Sequence, residues 1–173
     1  RLLLPNKAPS QLPSPAPSLS SVYRLPADPM TEIAFHFNAP DKLAYACRFA
    51  RKAQRAGAQL VILAPKPVLM DLDRMLWSVS PQDFVAHCFD DADEDQLAVS
   101  PVVLSAELGA TPHQDVLLNL GAQVPGAFER FSRLIEVVSS TDEQDRGQAR
   151  LRWKHYASRG YAIVRHDLVL KGG

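Results

Sequence analysis

The stretch AQLVILA, residues 58–64, decides the fold class of this chain. From Leu60 to Ala64 every residue is apolar, without the alternation of a strand that has one solvated face. Such a run is typical of a strand covered on both sides by helices in a parallel sheet. Gly57, just before it, suits the end of a preceding helix.

Strand and helix patterns alternate around this run, which predicts right-handed βαβ crossovers and a largely parallel sheet between helices. Strands are predicted at residues 31–37, 84–88, 102–105, 116–120, 134–138 and 161–169. Helices are predicted at about residues 40–56, 67–77 and 141–159, with a helical turn at 128–131 and a solvated acidic loop at 90–95. Asn38 and Asp41 are N-cap candidates for the first helix, and Thr141 for the last, which Gly160 closes. We therefore expect one three-layer α/β domain, Rossmann-like but without a nucleotide site.

The domain is expected to occupy residues 30–169. Residues 1–29 hold seven of the 14 prolines and many serines, a composition that favours a disordered tail. Met30 is then a candidate natural start, with residues 1–29 an upstream extension. Residues 170–173 are expected to form a flexible end.

Bulk composition restricts the classes of function. The chain has 173 residues, of which 46% are apolar, and its 19 basic and 19 acidic residues cancel. A protein without net charge recognises charged partners only through a local patch. The two cysteines lack metal-ligand spacing, and the apolar runs are far too short to span a membrane. A cytoplasmic protein is expected.

The features that an α/β enzyme needs are missing from the pattern. The first strand runs into Asn38-Ala39-Pro40-Asp41, without the glycines that let a backbone approach a phosphate. Cys47 falls on a buried helix face, and Ser105 lacks the context of an activated nucleophile. The acidic loop lacks the glycine and final glutamate of a calcium loop. We predict no catalytic residue, no metal and no cofactor.

Two aromatic clusters remain as candidate binding sites. Trp77 ends a predicted helix and Phe84 begins a predicted strand. Rings at such boundaries either pack at the edge of the hydrophobic core or are exposed and anchor a partner. The pattern alone favours the core. In the last helix, the cations Arg146, Arg150 and Lys154 fall beside the indole of Trp153. That face suits an acidic peptide with an aromatic group or a free carboxylate. The alternative is a solvated basic face with Trp153 packed inward.

The order and spacing of several segments resemble the chi subunit of bacterial DNA polymerase III. They are Leu72-Asp73-x-x-Leu76-Trp77, Phe84-Val85-x-His87, Arg150-x-Arg152-Trp153-Lys154-x-Tyr156 and Gly160-Tyr161. The resemblance covers residues 30 to about 168. It departs at Trp153, where family members more often carry tyrosine.

The resemblance implies a non-catalytic adaptor of the replicative polymerase. Such an adaptor pairs with the psi subunit of the clamp loader and binds the acidic, phenylalanine-ended tail of single-stranded DNA-binding protein. By resemblance, Arg146, Arg150, Trp153 and Lys154 bind that tail, and Trp77 and Phe84 bind psi. A repair helicase is a further candidate for the psi patch, and DNA would be contacted indirectly. The competing hypothesis is a small nucleotide-dependent enzyme on a flavodoxin-like scaffold.

Overall fold

A computed structural model describes residues 30–78, 82, 84–109 and 111–169. The predictions for residues 1–29 and 170–173 lie outside the described residues. Of the cluster around Trp77 and Phe84, residues 79–81 and 83 also lie outside them. No helix in the described ranges has the length and apolarity needed to cross a membrane.

Seven strands form one sheet, in the order β3-β4-β2-β5-β6-β1-β7, and every neighbouring pair is parallel. The strands are β1 Glu32–Ala39, β2 Leu60–Leu63, β3 His87–Phe89, β4 Val102–Ser105, β5 Val116–Asn119, β6 Arg133–Ser139 and β7 Ile163–Asp167. The helices are α1 Lys42–Arg55, α2 Lys66–Ser78, α3 Glu94–Val99 and α4 Glu143–Ser158, with a 3-10 turn at Phe128–Arg130. The predicted α/β class with a largely parallel sheet is confirmed.

The sheet separates two apolar clusters, which makes the domain three-layered. Alternate residues of each strand point to opposite faces. On one face Leu60 and Ile62 pack beneath α1 and α2. On the other face Val61 packs with residues of α3 and α4. Strand β2 is buried on both faces, as its unbroken apolar sequence predicts.

Helix ends follow the local chemistry, but two of the predicted N-cap candidates are corrected. Asp41 caps α1 by accepting from the Leu43 and Ala44 N–H groups, whereas Asn38 donates to Asp167 instead. Gly57 and Gly160 adopt positive φ after α1 and α4, as expected of glycine at a helix C-terminus. The cap of α4 is Asp142, not Thr141, because the Asp142 carboxylate accepts from two N–H groups of the first turn.

Two element predictions were wrong in extent. The acidic residues 90–95 are not wholly a loop, since Asp93 caps α3 and Glu94 and Asp95 lie in its first turn. Acidic side chains there are favoured by the helix dipole. The strand predicted from Phe84 begins at His87. Strand β3 pairs with β4, which begins after Pro101. Proline has no N–H group, so the hydrogen-bond ladder between the two strands does not extend to Pro101.

Candidate functional site

The first candidate site is a cleft of about 470 Å³ between α4 and the face of β1 and β7. We call it the α4 cleft. The four residues predicted from the last helix all line it: Arg146, Arg150, Trp153 and Lys154. Phe35 and Phe37 of β1 form its floor together with Arg165 of β7. The structure thus gathers these side chains on one concave surface.

Trp153 is half-buried in this cleft. Its ring centroid lies 5.0 Å from that of Phe35, at an interplanar angle of 55°. The guanidinium carbon of Arg165 lies 5.8 Å from the Trp153 ring centroid and 5.0 Å from that of Phe37. The indole is therefore held between an aromatic floor and a cation, with part of its surface open to the cleft.

The cations of the α4 cleft differ in how firmly they are held. Arg146 donates to the Ser140 carbonyl at 3.1 Å, and its Nε lies 3.9 Å from a Glu143 carboxylate oxygen. Arg150 and Lys154 are exposed, and neither forms an ion pair within the part of the chain that the structure describes. Two exposed cations beside an anchored one and an aromatic floor can receive an anion attached to an apolar group.

A buried polar network supports the cleft from below. Arg152 donates through Nε to Glu136 Oε2 at 2.9 Å and through Nη1 to the Ala122 carbonyl at 2.9 Å. The Tyr156 hydroxyl donates to Glu136 Oε1 at 2.6 Å, and Asn119 donates to both carboxylate oxygens. Burial, and secondarily the Glu136 carboxylate, raises the pKa of Tyr156. Arg152 and Tyr156 thus position α4 rather than offer atoms to a ligand.

The second candidate site is an exposed aromatic patch made by Trp77 and Phe84, whose rings lie against the buried His87 side chain; we call it the Trp77 patch. The pattern favoured core for both rings, and this was wrong, since Trp77 is 61% exposed and Phe84 39% exposed. Their ring centroids lie 5.1 Å apart, and Trp77 lies 5.4 Å from His87. His87 is fixed by Asp73 at 2.8 Å and the Val85 carbonyl at 2.7 Å.

Side chains of the protein occupy the carboxyl edge of the sheet, where α/β proteins bind phosphates. Lys42 Nζ lies 2.9 Å from Asp145 Oδ1 and 3.0 Å from the Leu120 carbonyl oxygen. Asp145 Oδ2 also accepts from the Ser139 N–H at 2.7 Å. A basic and an acidic group thus satisfy each other at the carboxyl ends of β1, β5 and β6, and Asp145 takes up the Ser139 N–H that could otherwise bind an anion.

The other candidates for chemistry are buried. Cys47 is 6% exposed, and burial raises the pKa of its thiol, which keeps it in the less reactive form. Ser105 is fully buried and hydrogen-bonded to Asp90 at 2.7 Å. Within the described ranges, no three His, Cys, Asp or Glu side chains are grouped so as to hold a metal ion.

Sequence reasoning missed Arg165, Phe35 and Phe37 as cleft residues. Phe35 pairs with Arg165 in the register of β1 and β7, so both side chains project toward α4. The alternation of each strand was visible in the sequence. The adjacency of the first and last strands was not, because it depends on the topology of the whole sheet.

The fold and these two surfaces define a class of protein: a three-layer α/β domain with a filled carboxyl edge, one basic aromatic cleft and one exposed aromatic patch. The family model of the DNA polymerase III chi subunit, HolC, matches residues 30–164. A DNA polymerase III subunit chi of Pseudomonas aeruginosa is 37% identical over 130 residues, covering 73% of this chain and 87% of the relative. One of Haemophilus influenzae is 29% identical over 121 residues, covering 68% and 81%.

The chain belongs to the DNA polymerase III chi subunit family. The resemblance drawn from the sequence motifs is confirmed. Family membership makes the protein a subunit of a polymerase holoenzyme in DNA replication, with partners within that assembly.

Proposed function

We propose that this chain is a non-catalytic adaptor that links the clamp loader, through psi, to the carboxyl-terminal tail of single-stranded DNA-binding protein. The observation that carries the proposal is the α4 cleft, in which Arg150 and Lys154 stand beside the half-buried Trp153. The ligand it suits is an acidic tail that ends in phenylalanine.

The chemistry of the cleft matches that ligand in two respects. Arg150 and Lys154 supply exposed charge for carboxylates, and Arg binds a carboxylate with two parallel hydrogen bonds. Phe35, Phe37 and Trp153 supply an apolar floor for a terminal phenyl ring. A ligand with both features fills the cleft better than a purely charged or purely apolar one.

Titration of a fluorescent acidic peptide ending in phenylalanine tests this assignment. Arg150→Ala should weaken binding by about 1.5–3 kcal/mol, the range for a hydrogen bond to a charged group. The matched control is Arg74→Gln, because Arg74 is a well-exposed cation outside both candidate sites. The same peptide with a blocked terminal carboxylate should bind more weakly to the unmodified protein.

Unchanged affinity in the Arg150→Ala protein rejects the assignment, as does an equal loss in the Arg74→Gln control. Binding should also weaken as salt rises, because exposed charges are screened over about 10 Å at 0.1 M salt. An affinity independent of salt would mean that apolar contacts alone hold the peptide.

We propose that the Trp77 patch binds psi. Exposed rings in contact with each other form the kind of compact aromatic anchor that dominates protein interfaces. A repair helicase is a further candidate partner for the same surface. The two would then compete, because both need the same rings.

Co-purification from cells that express both proteins tests the psi assignment. Phe84→Ala should abolish recovery of psi and leave the peptide titration unchanged. If recovery of psi is undiminished in a Trp77→Ala, Phe84→Ala protein that melts like the wild type, psi binds elsewhere.

The adaptor hypothesis includes three further expectations: no chemistry of its own, no cofactor and action in the cytoplasm. The filled carboxyl edge and the buried Cys47 support the first two. Two reduced cysteines suit a reducing compartment.

A further inference from the structure

Helix α1 is the most strongly charged element of the described chain. Its sequence, KLAYACRFARKAQR, contains five basic residues and no acidic one. The basic residues are Lys42, Arg48, Arg51, Lys52 and Arg55. The acidic residues of α3 and the turn before it lie on the other face of the sheet, because Leu97 of α3 packs in the cluster opposite α1. Zero net charge therefore conceals a strongly basic helix.

Arg48, Lys52 and Arg55 form a ridge along the helix, which we call the α1 ridge. At 100° per residue, Arg48, Lys52 and Arg55 fall within about 60° of one another, on the side away from the buried Ala50. All three are exposed. Successive cations one turn apart are about 5–6 Å from each other at Cβ, a spacing suited to repeated anionic groups. The guanidinium of Arg48 also lies over the Tyr45 ring at 5.7 Å.

A second cleft, of about 360 Å³, adjoins this ridge between α1 and β7; we call it the α1 cleft. Its walls are aromatic and basic: His36, Tyr45, Phe49, Lys52, Arg133 and His166. The ring centroids of Tyr45 and Phe49 lie 6.2 Å apart, and those of His36 and His166 lie 4.6 Å apart. Arg133 of these walls lies 3.8 Å from a Glu32 carboxylate oxygen on the exposed end of β1.

The α1 cleft is distinct from the α4 cleft, because the sheet lies between them. His36 pairs with His166 across β1 and β7, and Phe35 pairs with Arg165. Adjacent residues of a strand point to opposite faces. The histidines therefore face α1, whereas Phe35 and Arg165 face α4.

We propose that the α1 ridge and the α1 cleft together bind single-stranded nucleic acid. A row of cations that follows a backbone, next to rings on which bases stack, is the arrangement by which proteins bind single strands without sequence preference. The phosphates lie along Arg48, Lys52 and Arg55, and a base enters the cleft against Phe49. A duplex fits less well, because its bases are already stacked on one another and cannot enter the cleft.

Charge complementarity alone would also suit the acidic residues of a second copy. Those residues lie on the opposite face, so such a contact would be head-to-tail and would not close into a dimer. A polypeptide of acidic residues alone brings no ring to the aromatic walls, and the phenylalanine-ended tail is assigned to the α4 cleft. The aromatic and cationic groups in one place favour nucleic acid over both.

Fluorescence anisotropy with a labelled oligodeoxythymidine of about 16 nucleotides tests the proposal on the full chain without other proteins. The wild type should bind at about 50 mM salt, with an affinity that falls as salt rises. The triple variant Arg48→Gln, Lys52→Gln, Arg55→Gln should bind at least roughly tenfold more weakly, with a salt slope reduced by about 2, since each phosphate contact contributes about 0.7.

The matched control removes the same charge elsewhere. Lys66→Gln, Arg74→Gln, Arg159→Gln neutralises three exposed cations that line neither cleft. It should retain the affinity of the wild type to within about twofold. Phe49→Leu keeps the apolar volume but removes the stacking surface, and should lower affinity roughly fivefold or more with an unchanged salt slope.

A measurement on the wild type keeps the proposal testable if a variant fails to fold. In amide spectra of labelled protein, addition of the oligonucleotide should shift the signals of Phe49, Lys52 and His166 and leave those of Arg150 and Lys154 in place. The α1 triple variant should still bind the acidic tail peptide, which separates this proposal from the adaptor function.

The proposal is overturned by any of the following results: no binding of the oligonucleotide by the wild type, an equal loss in the control variant, or shifts confined to α4. Binding of a duplex or of polyglutamate as tight as that of the single strand also overturns it, since the site would then recognise charge alone.

Discussion

Arg152 and Glu136 form an ion pair in the interior of the domain, with Nε 2.9 Å from Oε2 and the side chains 2% and 0% exposed. The carboxylate receives further hydrogen bonds from Tyr156 and Asn119, so strand β6 is joined to α4 by a fully enclosed polar link. Such a link determines where α4 sits on the sheet, and therefore the width of the α4 cleft.

Replacing Arg152 by Met should destabilise the domain by about 3–5 kcal/mol, because it leaves the buried Glu136 charge unpaired. Urea denaturation followed by circular dichroism measures the loss. The double variant Arg152→Met, Glu136→Gln should recover part of it, since no buried charge remains. A single variant within about 0.5 kcal/mol of the wild type would show that the pair is not what holds α4.

Tyr156 gives a test at alkaline pH. Its pKa is raised in the folded protein, by burial and then by Glu136, whereas in the unfolded chain it is near 10. Above pH about 10 the unfolded state loses this proton and the folded state keeps it, so the free energy of unfolding falls by about 1.4 kcal/mol per pH unit from this group. Tyr156→Phe should remove that part of the slope.

The same variant loses a hydrogen bond to a charged group and should be less stable at pH 7 by about 1.5–3 kcal/mol. Tyr45 and Tyr161, whose pKa values are also raised by burial, remain in both proteins and serve as an internal reference. Identical alkaline slopes for the two proteins would contradict the assignment.

Arg165 should contribute to the α4 cleft although it lies outside the last helix. It stands over the rings of Trp153 and Phe37, where it both adds charge and holds the indole. Arg165→Gln should weaken binding of the acidic tail peptide by about 1 kcal/mol, with Arg74→Gln as the control. An affinity equal to that of the control would place the peptide away from β7.

Trp77 should matter little for stability, because 61% of it is exposed. Trp77→Ala should cost less than about 1 kcal/mol in urea denaturation, far below the 3–5 kcal/mol of a core aromatic. Its neighbour Leu76 is fully buried, and Leu76→Ala should cost about 2–5 kcal/mol. Equal costs at the two positions would mean that Trp77 is a core residue in solution.

Nucleotides should not stabilise the protein. Lys42 and Asp145 fill the carboxyl edge of the sheet, so ATP, NAD and FMN should leave the Tm unchanged in a thermal-shift experiment. A rise of several degrees with any one of them would revive the hypothesis of a nucleotide-dependent enzyme.

Local signals in the sequence were sufficient for most of the fold. The unbroken apolar run at Leu60, the cap at Asp41 and the glycine at position 57 each act within a few residues, and each prediction is confirmed. The gathering of Arg150, Trp153 and Lys154 was predictable for the same reason, since they share one helix face.

What the sequence could not supply depends on distant contacts. Trp77 was expected in the core because most large rings are buried, and its exposure follows from how the end of α2 packs in the assembled domain. The start of β3 depends on Pro101, 14 positions after His87. The α1 cleft needs β1 and β7 side by side, and these strands are the first and the last along the described sequence.

Strand β7 serves both clefts with consecutive side chains, Arg165 toward Trp153 and His166 toward Phe49. A slip of one residue along β1 would exchange the two, placing His166 on the face of the indole and the Arg165 guanidinium on the face of His36. A single-residue insertion within β7, before Arg165, is therefore a more severe change to this protein than most substitutions, because it would alter both surfaces at once although no side chain is replaced.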